Sequence, residues 1–452
     1  MERDKLDFGN EKIAKLFRAM FLPTLIGMVF NSILNICDGM FVGHGVGSNA
    51  LAAINIVAPL FLVCTGVGLM FGIGASVIGS IRLAEENVKA ARIIMTQAYI
   101  AGAIIFGVVI LVSFFFTHNV LYALGCSPAL EALATDYLLW LLPGLVFFYL
   151  QCAGMMLIRL DGSPKYAMSV QIVAAVLNIF LDWLLVFPLG MGIKGASVAT
   201  SISCIVAGLM VIGYFLFLSD KLKFYKLKAS RKSLALSLRN TGYMTKVGMA
   251  TFIAELSMGI MMVAGNYMFL SYLGEPGVAA FSVGCYLFPL IFSISNAVAQ
   301  ASQPIISYNY GAGSFDRVRE ALKIALVTAF ACGVLISAGM WVGSPALTMI
   351  FLSPSETAYE LAVNGLPLLG LCTLFFAMNI TFIGYYQSRE QSLRSIIYML
   401  LRGVVFMVPG FVVLPKIFGS SGLWLAIPAS ELLTFVVILA IYFLDKARRY
   451  CL

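Results

Sequence analysis

The stretch SDKLKFYKLKASRKSLALSLRNTGYMTK, from Ser219 to Lys246, carries eight Lys and Arg against one acid, Asp220. It is the longest polar interruption in an otherwise apolar chain. Six apolar runs precede it, near 16–41, 50–80, 93–117, 132–157, 168–188 and 195–218. Six more follow, near 246–272, 278–306, 322–343, 357–385, 396–415 and 421–444. As helices, runs of about 20 residues cross the ~30 Å hydrocarbon core of a bilayer. The sequence therefore predicts an all-α polytopic membrane protein of about twelve transmembrane helices in two pseudo-symmetric six-helix lobes. The expected boundaries are 1–218 for the N-terminal lobe, 219–245 for a cytoplasmic basic linker and 246–452 for the C-terminal lobe.

Composition excludes the soluble alternatives. Hydrophobic residues make up 61% of the 452 and charged residues only 11%, and the mean hydropathy is +0.96. Soluble domains need about 25% charged residues to cover their surfaces. The nine cysteines are scattered through apolar runs without a Cys-x-x-Cys pair, except Cys126 in an expected loop, so neither a metal knuckle nor a disulfide framework is indicated. Residues 1–15 mix acids and bases and lack the short apolar core of a signal peptide. Spans holding Pro23, Pro59, Pro143, Pro289, Pro367 and Pro409 are expected to kink or unwind locally.

The basic residues set the orientation. With both termini in the cytoplasm, nearly all of the 29 Lys and Arg fall on the inner side. Lys194 and Lys416 alone fall outside, and Arg402 lies within a span. The net charge of +8 then follows from topology. The 219–246 run is expected to meet anionic membrane lipids rather than nucleic acid. The halves also echo each other. Gly47-Ser48-Asn49-Ala50-Leu51-Ala52-Ala53 opens the second span and Gly274-Glu275-Pro276-Gly277-Val278-Ala279-Ala280 the eighth. Pro59-Leu60-Phe61 matches Phe288-Pro289-Leu290, and Ser127-Pro128 matches Ser353-Pro354. Six spans per half make the repeats parallel, an arrangement common in secondary transporters.

An ionisable group near mid-membrane costs about 2.5–3.5 kcal/mol on insertion scales, so each marks a candidate site. Asp38, Asp182, Glu255, Arg402 and Glu431 qualify, while Asp136 is expected at the outer interface. Asn178 and Asp182, four apart, share a helix face. With Asp38 and Thr200 they either form an oxygen-rich cavity suited to H⁺ or Na⁺, or act as helix-end and interhelical polar residues. Arg402 and Glu431 are either a structural ion pair or substrate-facing groups. Glu255 has no evident basic partner. Met and Phe, 22 and 34 in number, suit a promiscuous pocket but serve equally in packing and lipid contact.

No Walker loop, His-Glu-x-x-His or Gly-x-Ser-x-Gly occurs, and His44 and His118 fall in expected outer loops without metal-ligand companions. The chain is therefore read as no enzyme and as needing no cofactor. Any transport would draw on an ion gradient.

Several motifs, in order, resemble the multidrug and toxic compound extrusion (MATE) transporters, particularly their MepA-like branch, over essentially the whole chain. They are Asp38-Gly39-Met40-Phe41-Val42-Gly43 ending the first helix, and Arg159-Leu160-Asp161-Gly162-Ser163-Pro164-Lys165 after the fourth. Leu177-Asn178-Ile179-Phe180-Leu181-Asp182 follows in the fifth, and Gly195-Ala196-Ser197-Val198-Ala199-Thr200 opens the sixth. Tyr308-Asn309-Tyr310-Gly311-Ala312-Gly313 with Arg317 follows the eighth. The resemblance implies a multidrug efflux antiporter of the bacterial inner (plasma) membrane, working as a monomer. It would exchange small organic, often cationic, compounds for H⁺ or Na⁺ by alternating access. It also implies that Asp38, Asn178, Asp182 and Thr200 hold the coupling ion. Glu255 matches a seventh-helix carboxylate used for cations in some branches. Those branches pair it with a tenth-helix Asp, where this chain offers Asn379. The alternative expectation is a flippase for a lipid-linked oligosaccharide or peptidoglycan precursor, which needs more basic cavity residues than Arg402 alone.

Overall fold

The computed structural model describes residues 6–46, 48–124, 126, 128–228 and 230–450, of which the side chains at 35–40, 42–45, 48–49, 51–52 and 446–450 are left aside. The described residues form helices and no strands. In order they are α1 (Ile13–Gly45), α2 (Ser48–Ala84), α3 (Val88–Phe115), α4 (Thr117–Ala123), α5 (Glu131–Leu160), α6 (Pro164–Val186) and α7 (Gly192–Gly213). Then come α8 (Arg231–Gly311), α9 (Phe315–Met349), α10 (Thr357–Gly370), α11 (Cys372–Ser388), α12 (Ser392–Leu400), α13 (Met407–Phe418) and α14 (Ser420–Tyr450). Single π-helical turns at Tyr214–Leu218 and Leu401–Val405 extend α7 and join α12 to α13.

Among the described residues ten helices are long and apolar enough to span a bilayer, and the bent pair α10–α11 makes eleven. The twelfth crossing is hidden in α8, whose 81 residues would measure about 120 Å if straight. At Gly274 the backbone leaves the helical region, with φ 69° and ψ −162°. Phe269 and Phe281, which a straight helix would hold about 18 Å apart, stack with ring centroids 4.5 Å apart. The element is thus a hairpin of two spans, and a glycine stands where positive φ is required.

Two differences from the expected elements have local causes. The supposed loop 219–245 is helical from Arg231, because Ser230 caps the helix by accepting from the Ser233 N–H at 3.2 Å. α1 runs on to Gly45, so His44 lies in its last turn rather than in a loop. Pro23, Pro59 and Pro143 lie inside α1, α2 and α5, and the span holding Pro367 bends by 41° between α10 and α11.

The contacts divide the chain into two compact units, Met1–Glu255 with Ser307–Phe315, and Leu256–Ile306 with Asp316–Leu452. The first part of α8, to Glu255, packs with the first unit.

In the first unit Tyr149 of α5 is fully buried between Phe71 of α2 and Phe106 of α3. Its hydroxyl donates to the Ala98 carbonyl at 2.5 Å, so the one polar atom of a large buried ring is satisfied. α2 and the start of α8 approach backbone to backbone. A β-carbon on Gly248 would lie 1.9 Å from the Met70 carbonyl oxygen, and one on Gly74 would lie 2.3 Å from that of Met244.

The turn between α5 and α6 holds the chain that leaves α7. Asp161 is buried and accepts from the Tyr214 hydroxyl at 2.7 Å and the Ser219 hydroxyl at 3.0 Å. It also accepts from the backbone N–H groups of Lys221 and Leu222 at 3.2 and 3.1 Å. Arg92 of α3 donates to the Lys221 carbonyl at 2.7 Å, and Thr96 accepts from the Tyr225 N–H at 2.9 Å. The start of the linker is therefore fixed against the first unit.

In the second unit Trp424 of α14 packs edge-on against Phe269 and Phe281 at 4.9 and 6.3 Å, and Phe411 of α13 closes the cluster against Phe281.

Two outcomes follow from this packing. Gly248→Val places side-chain atoms inside a backbone carbonyl that cannot swing away, and overpacking of this kind costs about 1–3 kcal/mol or more. Its thermal unfolding midpoint in detergent should fall well below that of Gly242→Val, where nothing lies within 4 Å of the added carbon. Asp161→Ala leaves several buried donors unpaired at about 1–3 kcal/mol for the group. It should make the 219–230 segment a fast site of limited proteolysis, while Asp220→Ala should not.

Candidate functional site

α6 places Asn178 and Asp182 one turn apart on a face turned into the first unit, where both are buried and Asp182 has no exposed surface. Thr200, from the second turn of α7, meets them. With one amide orientation Asn178 donates to the Thr200 hydroxyl at 3.4 Å. In the reversed orientation the same amide donates to Asp182 Oδ2 at 3.1 Å and accepts from the Thr200 N–H at 3.3 Å. An ionised Asp182 accepts only, so it selects the reversed orientation.

Three of the four residues expected at the coupling site are brought together in this way. Asp38 belongs to α1, but its side chain lies outside the described residues. The ends of these helices are consistent with one face of the membrane. Lys194, before α7's second turn, pairs with Asp136 of α5 at 3.3 Å, and His118 of α4 meets Glu131 at 2.7 Å.

The second unit holds a buried ion pair. The Arg402 guanidinium donates to Glu431 through Nη2 at 2.6 Å and Nε at 3.0 Å, with side chains 6% and 3% exposed. Asn379 of α11 donates its amide to Glu431 Oε2 and to the Glu431 carbonyl, both at 2.8 Å. The Phe376 ring lies 4.3 Å from the guanidinium carbon. Arg402 sits on the π-turn Leu401–Val405, and its carbonyl accepts from the Ser430 hydroxyl at 2.6 Å. A π-turn frees backbone carbonyls, and here a serine satisfies the one nearest the charge. Of the two readings open for Arg402 and Glu431, the mutual ion pair is the arrangement observed.

Glu255 does not join that cluster in the contacts it makes. It is buried in the first unit, beside Gly66 of α2, and no ion pair of Glu255 occurs among the described residues. Asp161, which lies within the 159–165 motif, is a buried acid that sequence reasoning missed. Its signal was an acid before Gly162, whose φ of 82° turns the chain so that the carboxylate faces inward.

Comparison with known proteins agrees with this architecture. The MatE family model matches residues 23–184 and 247–412. The multidrug export protein MepA of Staphylococcus aureus (strain NCTC 8325 / PS 47) is 24% identical over 97% of this chain and 95% of its own length. Its counterpart in Staphylococcus saprophyticus is 25% identical over the same shares. Among solved structures, an outward-facing MATE transporter of the MOP superfamily superposes with a TM-score of 0.90 at 22% identity, covering all of both chains. A Vibrio cholerae MATE transporter, VcmN, gives 0.88 at 20% identity over 97% of each.

Breaking the buried pair on one side leaves the other charge stranded, at about 3–5 kcal/mol. Arg402→Met and Glu431→Leu should each lower the thermal midpoint strongly, and the double variant should recover most of the loss. Additive losses in that cycle would contradict the pairing.

Two six-span halves, the polar group on α6 and α7, and a family match that spans both halves lead to one assignment: the chain belongs to the MatE family of multidrug and toxic compound extrusion transporters.

Proposed function

We propose that the chain exports small organic, often cationic, compounds in exchange for H⁺ or Na⁺, with Asp38, Asn178, Asp182 and Thr200 taking the coupling ion. The observation that carries this is the fully buried Asp182 within reach of Asn178 on a membrane span. An ionisable group at that depth on a spanning helix is a functional-site candidate by default. MepA is named for multidrug export, which supports the substrate class.

In this reading an ion enters from outside and neutralises Asp182, beside the Asn178 amide that faces it. A cationic substrate favours the ionised site and the coupling ion disfavours it, so each weakens the other's binding by the same factor. One charge carried inward across 100 mV supplies about 2.3 kcal/mol. Glu255, buried without an ion pair, is the substrate-facing carboxylate of this scheme, whereas Arg402, Glu431 and Asn379 hold the second unit together. The membrane is the bacterial inner membrane, with the basic ends of the spans and both termini in the cytoplasm.

Arg402, the cation that the sequence places within a span, is engaged by Glu431, so the flippase reading has little to bind with there. The test is efflux of a fluorescent organic cation from proteoliposomes under a proton gradient and a Na⁺ gradient applied separately. One gradient should accelerate efflux, and Asp182→Asn should reduce that acceleration at least about tenfold at equal thermal stability. An unchanged Asp182→Asn rate would refute the coupling role. Indifference of the folded wild type to both gradients would move the assignment to a flippase.

A further inference from the structure

A cavity of about 250 Å³ opens at one end of the first unit, where the α2–α3 hairpin meets the first turns of α8. Its polar lining is Arg82, Asn87, Asn240 and Tyr243, and Ile93 and Leu236 are among its apolar walls. Of the candidate spanning helices, α2 ends at Ala84 and α3 begins at Val88. The cavity therefore sits at the end of their hairpin, with its apolar walls and its cation side by side.

The wall contributed by α8 is amphipathic. Lys232, Leu236, Arg239 and Tyr243 recur at helical spacing, so they share one face, and that face includes the cavity lining. Leu234 and Leu238 are 63% and 67% exposed. Both leucines lie on the opposite face of the same helix. The helix is also held in place. Gln97 of α3 donates to the Ser237 hydroxyl and accepts from the Asn240 amide, both at 2.9 Å.

Among the described residues Arg82 pairs with Glu85, three residues on, at 2.7 Å, with the two side chains 44% and 42% exposed. Such a pair contributes little and gives way to a better anion. Asn87 caps α3 through Oδ1, which leaves its Nδ2 hydrogens for a ligand. Glu85 and Glu86 are the acids of this hairpin, and Arg82, Lys89 and Arg92 of α2 and α3, with Lys232 and Arg239 of α8, outnumber them.

We propose that this cavity binds the phosphate headgroup of an anionic phospholipid, with Arg82 on the phosphate and one acyl chain along Leu236 and Ile93. This goes beyond the export reading and does not depend on it. Its basic rim selects against zwitterionic lipid, and its apolar wall selects against free phosphate. The lipid bridges the α2–α3 hairpin and the first turns of α8.

The test is native mass spectrometry of the detergent-purified protein titrated with phosphatidylglycerol or with phosphatidylcholine of the same acyl chains. The wild type should retain phosphatidylglycerol about tenfold more tightly, as a charge-assisted phosphate contact predicts. Arg82→Gln should abolish most of that preference, while Arg319→Gln, on an exposed pair of α9, should leave it intact. Should Arg82→Gln fold poorly, the surface double variant Lys232→Gln with Arg239→Gln is expected to halve the preference or more. Equal retention of the two lipids by the wild type would overturn the proposal. So would displacement of bound lipid by millimolar inorganic phosphate, which would make the cavity a free-phosphate site.

Discussion

Inside hydrocarbon a polar group has no water to fall back on, and each charge or amide must find its partner within the protein. The rest of the structure is arranged around that constraint. In the second unit it brings Glu431, Arg402 and Asn379 from three different helices to one point, and adds Ser430 for the carbonyl that the π-turn frees. In the first unit it brings Asn178 and Thr200 to Asp182. It also explains where no polar partner is needed. Where α2 meets α8, glycines let the backbones touch, and dispersion between close surfaces holds helices that hydrophobic exclusion cannot drive together in lipid.

The two polar clusters differ in kind. Glu431 faces a guanidinium in a bidentate arrangement, so charge is already neutralised and the group is locked. Asp182 accepts from the neutral amide of Asn178. The first cluster suits a fixed strut. The second, a carboxylate among neutral amide and hydroxyl groups, is the one proposed to take the coupling ion.

Much of this was legible in the sequence, for definite reasons. Apolar run length alone fixes the spans, since the bilayer sets one length for all of them. The four-residue spacing of Asn178 and Asp182 requires a shared face in any helix. Arg402 and Glu431 were each recognisable as misplaced charges, and estimated depth suggested their pairing, but only the fold chooses between a pair and two separate sites. Other features left no such trace. The cage around Asp161 is built partly of backbone N–H groups at 221 and 222, and a backbone donor has no sequence signature. The helical start at Arg231 was masked by its charges, which read as a loop until Ser230 is seen to cap it. Glu255 reads as a residue of the second half by order, yet its contacts are in the first unit, because long helices carry their ends into whichever unit they touch.

If Asp182 takes the coupling ion, substrate and ion must displace each other even without a membrane or a gradient. The direct measurement is to add an organic cation to weakly buffered, detergent-solubilised protein and record proton release, with a parallel sample preloaded with radiolabelled Na⁺. The account predicts stoichiometric release of one of the two ions from the wild type and none from Asp182→Asn. Tight binding of the cation with no ion released from the wild type would contradict it.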